Sequence, residues 1–165
     1  ASTGNLAVLY ERCDAHVMLT QTIGEFEEKL KENQIELIVQ GSAEPLFIRV
    51  DSRHLWRIFD NLMNNVCKYA QPLTRAYVNI EKQDESGRIV FRNISKYALN
   101  ISSEELTERF VRGDSSRNTE GSGLGLSITK SLTELMNGKF ELVIDGDLFK
   151  VIVSFPISDA PEKEA

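Results

Sequence analysis

Apolar residues in the first fifty positions change from helical to extended spacing. They recur at helical intervals over residues 17–33, and this spacing predicts a helix in which Gly24 is the weak point. Residues 35–40 and 46–50 are rich in branched apolar side chains and predict two short strands. Residues 1–16 show little periodicity, so we expect an N-terminal extension or linker before the first helix.

A strongly amphipathic segment follows at residues 51–69, which we predict to be a helix capped by Asp51. On a helical wheel its apolar residues fill one arc that should face a sheet, namely Leu55, Ile58, Phe59, Leu62, Met63 and Val66. A polar stripe beside this arc contains Arg57, Asn61, Asn65 and Lys68. The asparagines, with a third at Asn64, are each less favourable than alanine in a helix by up to about 0.7 kcal/mol. Something other than helix propensity therefore keeps them there.

The rest of the chain mixes hairpins and helices without a regular βαβ alternation. The predicted elements are a hairpin of residues 75–83 and 88–93 with its turn at Ser86 and Gly87, a short helix at 103–110, a polar loop at 112–122, a helix at 124–136, a hairpin of 139–144 and 148–155, and a flexible tail at 158–165. This order predicts an α+β fold. We expect a two-layer α/β sandwich with a mixed, mostly antiparallel sheet and helices packed on one face.

The composition is that of an ordinary globular protein, with 41% hydrophobic and 27% charged residues. A net charge of −6 argues against a nucleic-acid-binding surface. No apolar run approaches the length of a membrane span and no signal peptide opens the sequence, so any membrane anchor of a parent protein is expected outside this segment. Cys13 and Cys67 are expected to be reduced thiols, and no Cys/His grouping favours a zinc site.

The asparagine stripe on the predicted helix has two interpretations. Amide oxygens are hard ligands that can coordinate Mg²⁺, and Lys68, one turn beyond Asn65, can neutralise phosphate charge. The alternative is a solvated polar face beside a core face, which surface helices normally have.

Residues 121–126, with the sequence GSGLGL, lead directly into a predicted helix. Glycines allow close approach of the backbone, and the first turn of a helix offers free N–H donors, so this segment predicts an anion site suited to phosphate. It is not a P-loop, because no lysine follows the last glycine, and it lacks the spacing and the preceding strand of a dinucleotide fingerprint. The alternative is a flexible hinge.

Together these segments resemble the histidine-kinase branch of the Bergerat-fold ATPases, which are relatives of gyrase B and the Hsp90 chaperones. Residues 61–69, NLMNNVCKY, are similar to the asparagine box N-L-x-x-N-A-x-K-[YHF], with Val66 in place of alanine. Residues 108–113 resemble the phenylalanine box, and residues 121–126 resemble the second glycine box, GxGLGL. Order and spacing agree over residues 17–157, which are therefore expected to form an ATP-binding catalytic domain.

The resemblance implies a role for each matching position. Asn65 would be the Mg²⁺ ligand, and the candidate catalytic residues are Asn61, Lys68 and Arg112. The candidate nucleotide-binding set comprises Asn61, Asn65, Lys68, Tyr69, Asn93, Arg112, Arg117, Gly121, Ser122, Gly123, Leu124, Gly125 and Leu126. Within this set Tyr69 would pack against the adenine, and the two arginines would contact phosphates from a lid of residues 112–122. A solvated loop charge is an equal interpretation of Arg117.

One expected motif is missing. The first glycine box of the family, DxGxG, should follow the strand that ends near Arg92, but residues 93–97 are NISKY. Asn93 stands where the adenine-reading aspartate is expected, and its amide can still hydrogen-bond the base edge. The alternatives are a turn asparagine and, for the whole chain, a non-catalytic interaction module that has lost ATP.

The resemblance further implies transfer of the γ-phosphoryl group of ATP, with Mg²⁺, to a histidine on a separate dimerisation domain, and a response regulator as partner. Neither His16 nor His54 precedes an acidic residue, so this chain alone is expected to bind nucleotide without phosphorylating itself. The implied location is the cytoplasmic side of a protein anchored in the bacterial cell membrane, with no nucleic-acid partner. A serine kinase of the anti-sigma-factor type, with the same fold, is a further alternative.

Overall fold

The computed structural model describes residues 7–97 and 122–158. Its helices and strands are β1 (Glu11–Asp14), α1 (Ala15–Glu25), α2 (Glu27–Glu32), β2 (Ile35–Gly41), β3 (Phe47–Val50), α3 (Ser52–Tyr69), β4 (Thr74–Gln83), β5 (Ser86–Ile94), α4 (Ser122–Leu135), β6 (Lys139–Asp145) and β7 (Leu148–Pro156). The predicted helix at 103–110, the predicted loop up to residue 121 and the tail from residue 159 lie outside the described residues. Among the described helices, none combines the length and apolar character needed to cross a membrane.

The main sheet has five strands in the order β2-β4-β5-β7-β6. Strand β2 runs parallel to β4, and the other neighbouring pairs of this sheet are antiparallel. Strands β1 and β3 form a separate antiparallel pair. The predicted α+β fold with a mixed, mostly antiparallel sheet is therefore confirmed.

Helix α3 packs on one face of the main sheet through the predicted apolar arc. All six residues of that arc are at most 2% exposed. The ring of Phe59 lies 6.2 Å from the ring of Phe91 on β5, measured between centroids. The carboxylate of Asp51 caps the helix by accepting a hydrogen bond from the backbone N–H of Arg53. The helix thus begins and ends where the sequence predicts, and its polar stripe lies away from the sheet core.

Helices α3 and α4 lie side by side and run in opposite directions. At the start of α3, the backbone N–H of Asp51 donates to the sulfur of Met136, just beyond the end of α4, at 3.3 Å. Toward the other end of α3, a β-carbon built on Gly125 would lie 3.7 Å from Oδ1 of Asn65. The asparagine-bearing end of α3 and the glycine-bearing start of α4 therefore meet at one end of the helix layer.

Two predicted features of the N-terminal region are wrong. The predicted single helix over residues 17–33 is two helices, because the chain turns at Phe26, whose side chain is buried in the core, two residues after Gly24. The first helix begins at Ala15 and follows a strand, β1, that the sequence does not predict. In β1 only Cys13 is buried, so the strand has no alternating pattern that could reveal it.

The turn of the first hairpin also differs from the prediction. Gln83 pairs with Ser86, so the turn consists of Asp84 and Glu85, with Asp84 at a φ of 56°. Gly87 lies within β5 for a different reason, because a β-carbon there would be 2.5 Å from Cγ2 of Ile48. This glycine is required by packing rather than by the turn.

Candidate functional site

The three asparagines of α3 have different surroundings. The Oδ1 atom of Asn64 accepts a hydrogen bond from Nζ of Lys29 at 3.0 Å, and its Nδ2 donates to the backbone oxygen of Asp60 at 3.1 Å. Asn65 is 7% exposed and faces α4, and Asn61 lies one turn earlier on the same stripe. Asn64 therefore ties α2 to α3, whereas Asn61 and Asn65 are the two placed to meet a ligand.

The amide of Asn65 faces the backbone of the first turn of α4. A β-carbon at Gly125 would lie 3.7 Å from Oδ1 and 4.0 Å from Nδ2 of Asn65, so any larger side chain at this position would reach the amide. The first turn of a helix carries N–H groups without intrahelical partners and a partial positive charge. An amide oxygen beside such donors suits a polyphosphate with a divalent cation, since Mg²⁺ prefers oxygen ligands and shares its shell with phosphates.

Two predicted site residues have buried amide nitrogens that lack a hydrogen-bond partner among residues 7–97 and 122–158. These atoms are Nδ2 of Asn61 and Nδ2 of Asn93. Leaving a buried donor unsatisfied costs about 1–3 kcal/mol, so such groups need a reason in a native structure. Both fit a site whose hydrogen bonds are completed by a ligand.

Asn93 lies at the end of β5 on the side of the sheet that faces the helices. Side chains alternate along a strand, so Asn93 shares this side with Ile89 and Phe91, and it is 5% exposed. Its neighbour across the ladder is Phe149 on β7. The amide is therefore buried between apolar neighbours at the strand end, where the family resemblance implies contact with a base.

The turn after β5 is held by hydrogen bonds instead of by the expected glycines. The hydroxyl of Ser95 donates to the backbone oxygen of Tyr97 at 2.8 Å and accepts from its N–H at 3.1 Å. The backbone N–H of Ser95 donates to the oxygen of Asp147 at 2.8 Å, and that of Lys96 donates to the oxygen of Tyr69 at 2.9 Å. The turn is thereby fixed to the last hairpin and to the end of α3.

Two aromatic rings lie at this same end of the helix layer. The rings of Tyr69 and Tyr97 contact each other edge to face, with centroids 6.4 Å apart and planes at 62°. Tyr97 is 58% exposed. The sequence prediction includes Tyr69 but not Ser95 or Tyr97, because the family motif expected in this segment consists of an aspartate and glycines. The tendency of serine to hydrogen-bond nearby backbone in turns is the signal that could have found Ser95.

The remaining predicted site residues fall into three groups. Outside the described residues lie Arg112, Arg117 and Gly121. The backbone of the first turn of α4 contains Ser122, Gly123 and Leu124, so the helix begins two residues earlier than predicted. Lys68 is half-buried in the last turn of α3, and Leu126 is buried in the core, so that its backbone alone is placed for a ligand.

Both cysteines are free and buried. Burial raises the pKa of Cys67 to about 11. Burial, with the charges of Glu11 and Asp14, likewise raises the pKa of Cys13 to about 11. Both thiols are therefore protonated near neutral pH and are poor nucleophiles and poor metal ligands, although Cys67 lies within the asparagine-bearing segment.

Comparison with known proteins gives a consistent group of relatives. Residues 50–161 match the family model described as histidine kinase-, DNA gyrase B-, and HSP90-like ATPase. The chain is 34% identical over 130 residues to the probable sensor protein PcoS of Escherichia coli, covering 76% of this chain and 27% of that protein. It is 30% identical over 158 residues to the swarming motility regulation sensor protein RssA of Serratia marcescens, covering 94% of this chain and 33% of that protein. The chain thus spans about a third or less of the length of these relatives.

Solved structures share the fold. The catalytic domain of histidine kinase ThkA, in a nucleotide-free form, superposes with a TM-score of 0.78 at 21% identity, covering 90% of this chain and 95% of that one. Full-length ShkA in complex with AMPPNP superposes with a TM-score of 0.77 at 20% identity, covering 94% of this chain and 32% of that one. At these identities the similarity shows a common architecture.

Proposed function

The chain belongs to the family of histidine kinase-, DNA gyrase B- and HSP90-like ATPases, and from this we propose that it is the ATP-binding catalytic domain of a two-component sensor histidine kinase. The observation that carries the proposal is the meeting of Asn65 with the start of α4, where a β-carbon at Gly125 would be 3.7 Å from the amide oxygen. The sensor proteins among its relatives support the kinase branch of the family.

In the proposed reaction, ATP is the phosphoryl donor and a histidine on a separate dimerisation domain is the acceptor. An imidazole nitrogen forms a bond to the γ-phosphorus, the bond from that phosphorus to the bridging oxygen breaks, and ADP leaves. The phosphorylated ring then loses its remaining N–H proton to water, which leaves phosphohistidine with a neutral imidazole ring. Neutral imidazole is nucleophilic near pH 7, so this domain need only position the two reactants and neutralise charge.

The proposed contacts to the nucleotide come from three places. Asn65 supplies an oxygen ligand to Mg²⁺, and a bound Mg²⁺ neutralises negative charge on the phosphates. Asn61 and Lys68 contact phosphates from the same face of α3, together with the N–H groups of the first turn of α4. Tyr69 and Asn93 bind the base. From the lid, Arg112 and Arg117 are proposed to contact the phosphates.

The wider protein follows from the same proposal. The residues before β1 would lead from the dimerisation and phosphoacceptor segment into the domain. A response regulator would receive the phosphoryl group from the phosphohistidine. The domain would lie on the cytoplasmic side of a bacterial cell membrane that anchors the parent protein, without itself contacting the membrane.

Calorimetric titration with MgADP tests nucleotide binding directly. We expect saturable binding and a melting temperature that rises with ligand concentration. Asn65→Ala should weaken binding at least about tenfold, which corresponds to roughly 1.4 kcal/mol. Asn64→Ala is the matched control on the same helix, because its amide is bound to Lys29 and Asp60, and it should bind as the wild type does. A flat response up to millimolar MgADP would instead support the non-catalytic interaction module.

The isolated chain should not phosphorylate itself. Neither histidine is followed by an acidic residue, and Nε2 of His54 lies 3.2 Å from the backbone oxygen of Ala7 and 3.7 Å from the Asp51 carboxylate. His16 lies in the first turn of α1, whose cap is Asp14. Incubation with γ-labelled ATP should leave the chain unlabelled, and acid-labile label on it would contradict this expectation.

A further inference from the structure

The side chain of Asn93 is the least satisfied polar group of the base-binding end of the site. Its backbone is part of the ladder between β5 and β7, which continues through the pair Ile94 and Leu148. Its side chain is 5% exposed, and Nδ2 has no hydrogen-bond partner within the described part of the chain. The strand therefore fixes the position of this amide, and its Nδ2 donor is available to a bound ligand.

The surroundings of Asn93 favour a flat aromatic guest with a polar edge. Asn93 follows Phe91 on the helix-facing side of β5, and Phe91 already contacts Phe59. Two residues beyond Asn93, Ser95 pairs with Ala70 at the end of α3, beside the contact between the rings of Tyr69 and Tyr97. An amide among apolar and aromatic side chains can orient a purine by its hydrogen-bonding edge.

The chemistry of an amide differs from that of a carboxylate at such an edge. An ionised carboxylate only accepts hydrogen bonds, whereas an asparagine amide both donates and accepts. Adenine presents a donor at its 6-amino group, and a 6-oxopurine presents an acceptor at O6. N1 is an acceptor in adenine and carries a hydrogen in a 6-oxopurine. Rotation of the amide by about 180° exchanges its donor and acceptor, so one asparagine can match either edge.

We propose that Asn93 makes the nucleotide site tolerant at purine position 6, so that it accepts 6-oxopurine nucleotides as well as adenine nucleotides. This inference rests on the proposed function, because it assumes that a nucleotide occupies the site. A site with an unpaired Nδ2 donor at this edge can donate to O6, whereas a carboxylate would offer O6 only acceptors.

Titration of the wild-type chain with MgADP and MgIDP tests the proposal, because the two bases differ only at the position 6 and N1 edge. We expect the two dissociation constants to agree within about tenfold. Asn93→Asp should weaken MgIDP at least about tenfold relative to MgADP, since two acceptors then face each other. Asn64→Asp introduces the same charge elsewhere on the site's helix layer and should leave the ratio of the two constants unchanged.

Each outcome decides the matter. If the wild type binds MgADP but binds MgIDP more than about tenfold more weakly, the inference is overturned while the proposed function stands. An unchanged ratio in a folded Asn93→Asp variant also overturns it. If that variant does not fold, Asn93→Ala takes its place and should weaken both nucleotides by similar factors, and a loss confined to MgADP would count against the inference. Failure of both nucleotides to bind the wild type would overturn the proposed function and this inference together.

Discussion

At the scale of single residues, the buried carboxylate of Asp51 accepts several hydrogen bonds. Its side chain is 1% exposed and accepts hydrogen bonds from the backbone N–H groups of Leu9 and Arg53 at 2.9 and 3.0 Å. It also accepts from Nε and Nη2 of Arg53 at 3.1 and 2.8 Å. The hydrogen bonds from the Arg53 side chain, with those from the backbone of Leu9 and Arg53, hold the pKa of Asp51 far below its ordinary value despite its burial. The folded state therefore strongly prefers the ionised carboxylate.

We predict that Asp51→Ala lowers the free energy of unfolding at pH 7 by about 2 kcal/mol, because it removes a helix cap and leaves buried donors unpaired. The pKa is lower in the folded than in the unfolded chain, so the stabilisation is complete above the ordinary value of 3.8 and is lost as the pH falls below it. Urea unfolding of the wild type and of Asp51→Ala at pH 7 and at pH 3 measures this. The difference between their free energies of unfolding should be smaller at pH 3. Asp51→Asn, which keeps the cap, is the control and should lose less than alanine at pH 7. An equal difference at both pH values would contradict the charge-based account.

At the scale of elements, two glycines differ in the space around them, one in a helix and one in a strand. A β-carbon at Gly24, near the end of α1, would meet no atom within 4 Å. A β-carbon at Gly87 in β5 would lie 2.5 Å from Ile48 and 3.1 Å from Leu46, both of which are buried. The first glycine is a weak helix residue, and the second is required for the close approach of β3 to β5.

We predict that Gly24→Ala raises the free energy of unfolding by about 0.5–1 kcal/mol, because alanine costs less conformational entropy in a helix. Gly87→Ala should lower it by about 1–3 kcal/mol, because the added methyl group displaces a packed isoleucine. Denaturation of the two variants side by side provides its own control, since both make the same chemical change. Equal effects of the two substitutions would contradict tight packing around Gly87.

Elements with a clear pattern of apolar residues were predictable from the sequence, whereas a strand without such a pattern was not. The six-residue arc of α3 is found at the predicted positions, because helical spacing directly records which side faces the sheet. Strand β1 was missed because it exists through pairing with β3, and its sequence ERCD contains one buried residue. In the site, spacing predicted Asn61 and Asn65 but could not show that Asn64 binds Lys29, a contact between residues 35 positions apart.

At the scale of the whole molecule, the residues before α1 join parts of the fold that are distant in sequence. Val8 and Tyr10 pack against the hydrophobic core. The hydroxyl of Tyr10 accepts a hydrogen bond from Nδ2 of Asn137 at 2.9 Å, and the carboxylate of Glu11 accepts one from the hydroxyl of Ser52 at 2.6 Å. With the contact from Leu9 to Asp51, this segment is bound to the start of α3 and the end of α4.

We predict that a chain beginning at Asp14, which keeps the cap of α1, loses at least about 2 kcal/mol of unfolding free energy through lost apolar burial and hydrogen bonds. Thermal or urea denaturation measures the loss. A chain beginning at Ala7 keeps all of the contacts described and is the matched control. Equal stability of the chains that begin at Asp14 and at Ala7 would show that residues 7–13 contribute nothing to the stability of the domain. The domain would then begin at α1.

Because α3 and α4 are antiparallel, the N-terminal segment is bound at one end of the helix pair and the predicted site lies at the other. The bound end carries Asp51 and Met136, and the opposite end carries Asn65 and Gly125. About 11 residues at about 1.5 Å each separate Met136 from Gly125, an arm of about 16 Å, so a tilt of about 4° at the gripped end would swing the tip by about 1 Å. Displacements of about 1 Å between reacting groups can change rates roughly a hundredfold. A tilt of the pair about the end that carries Asp51 and Met136 would therefore displace Asn65 and Gly125 at the other end.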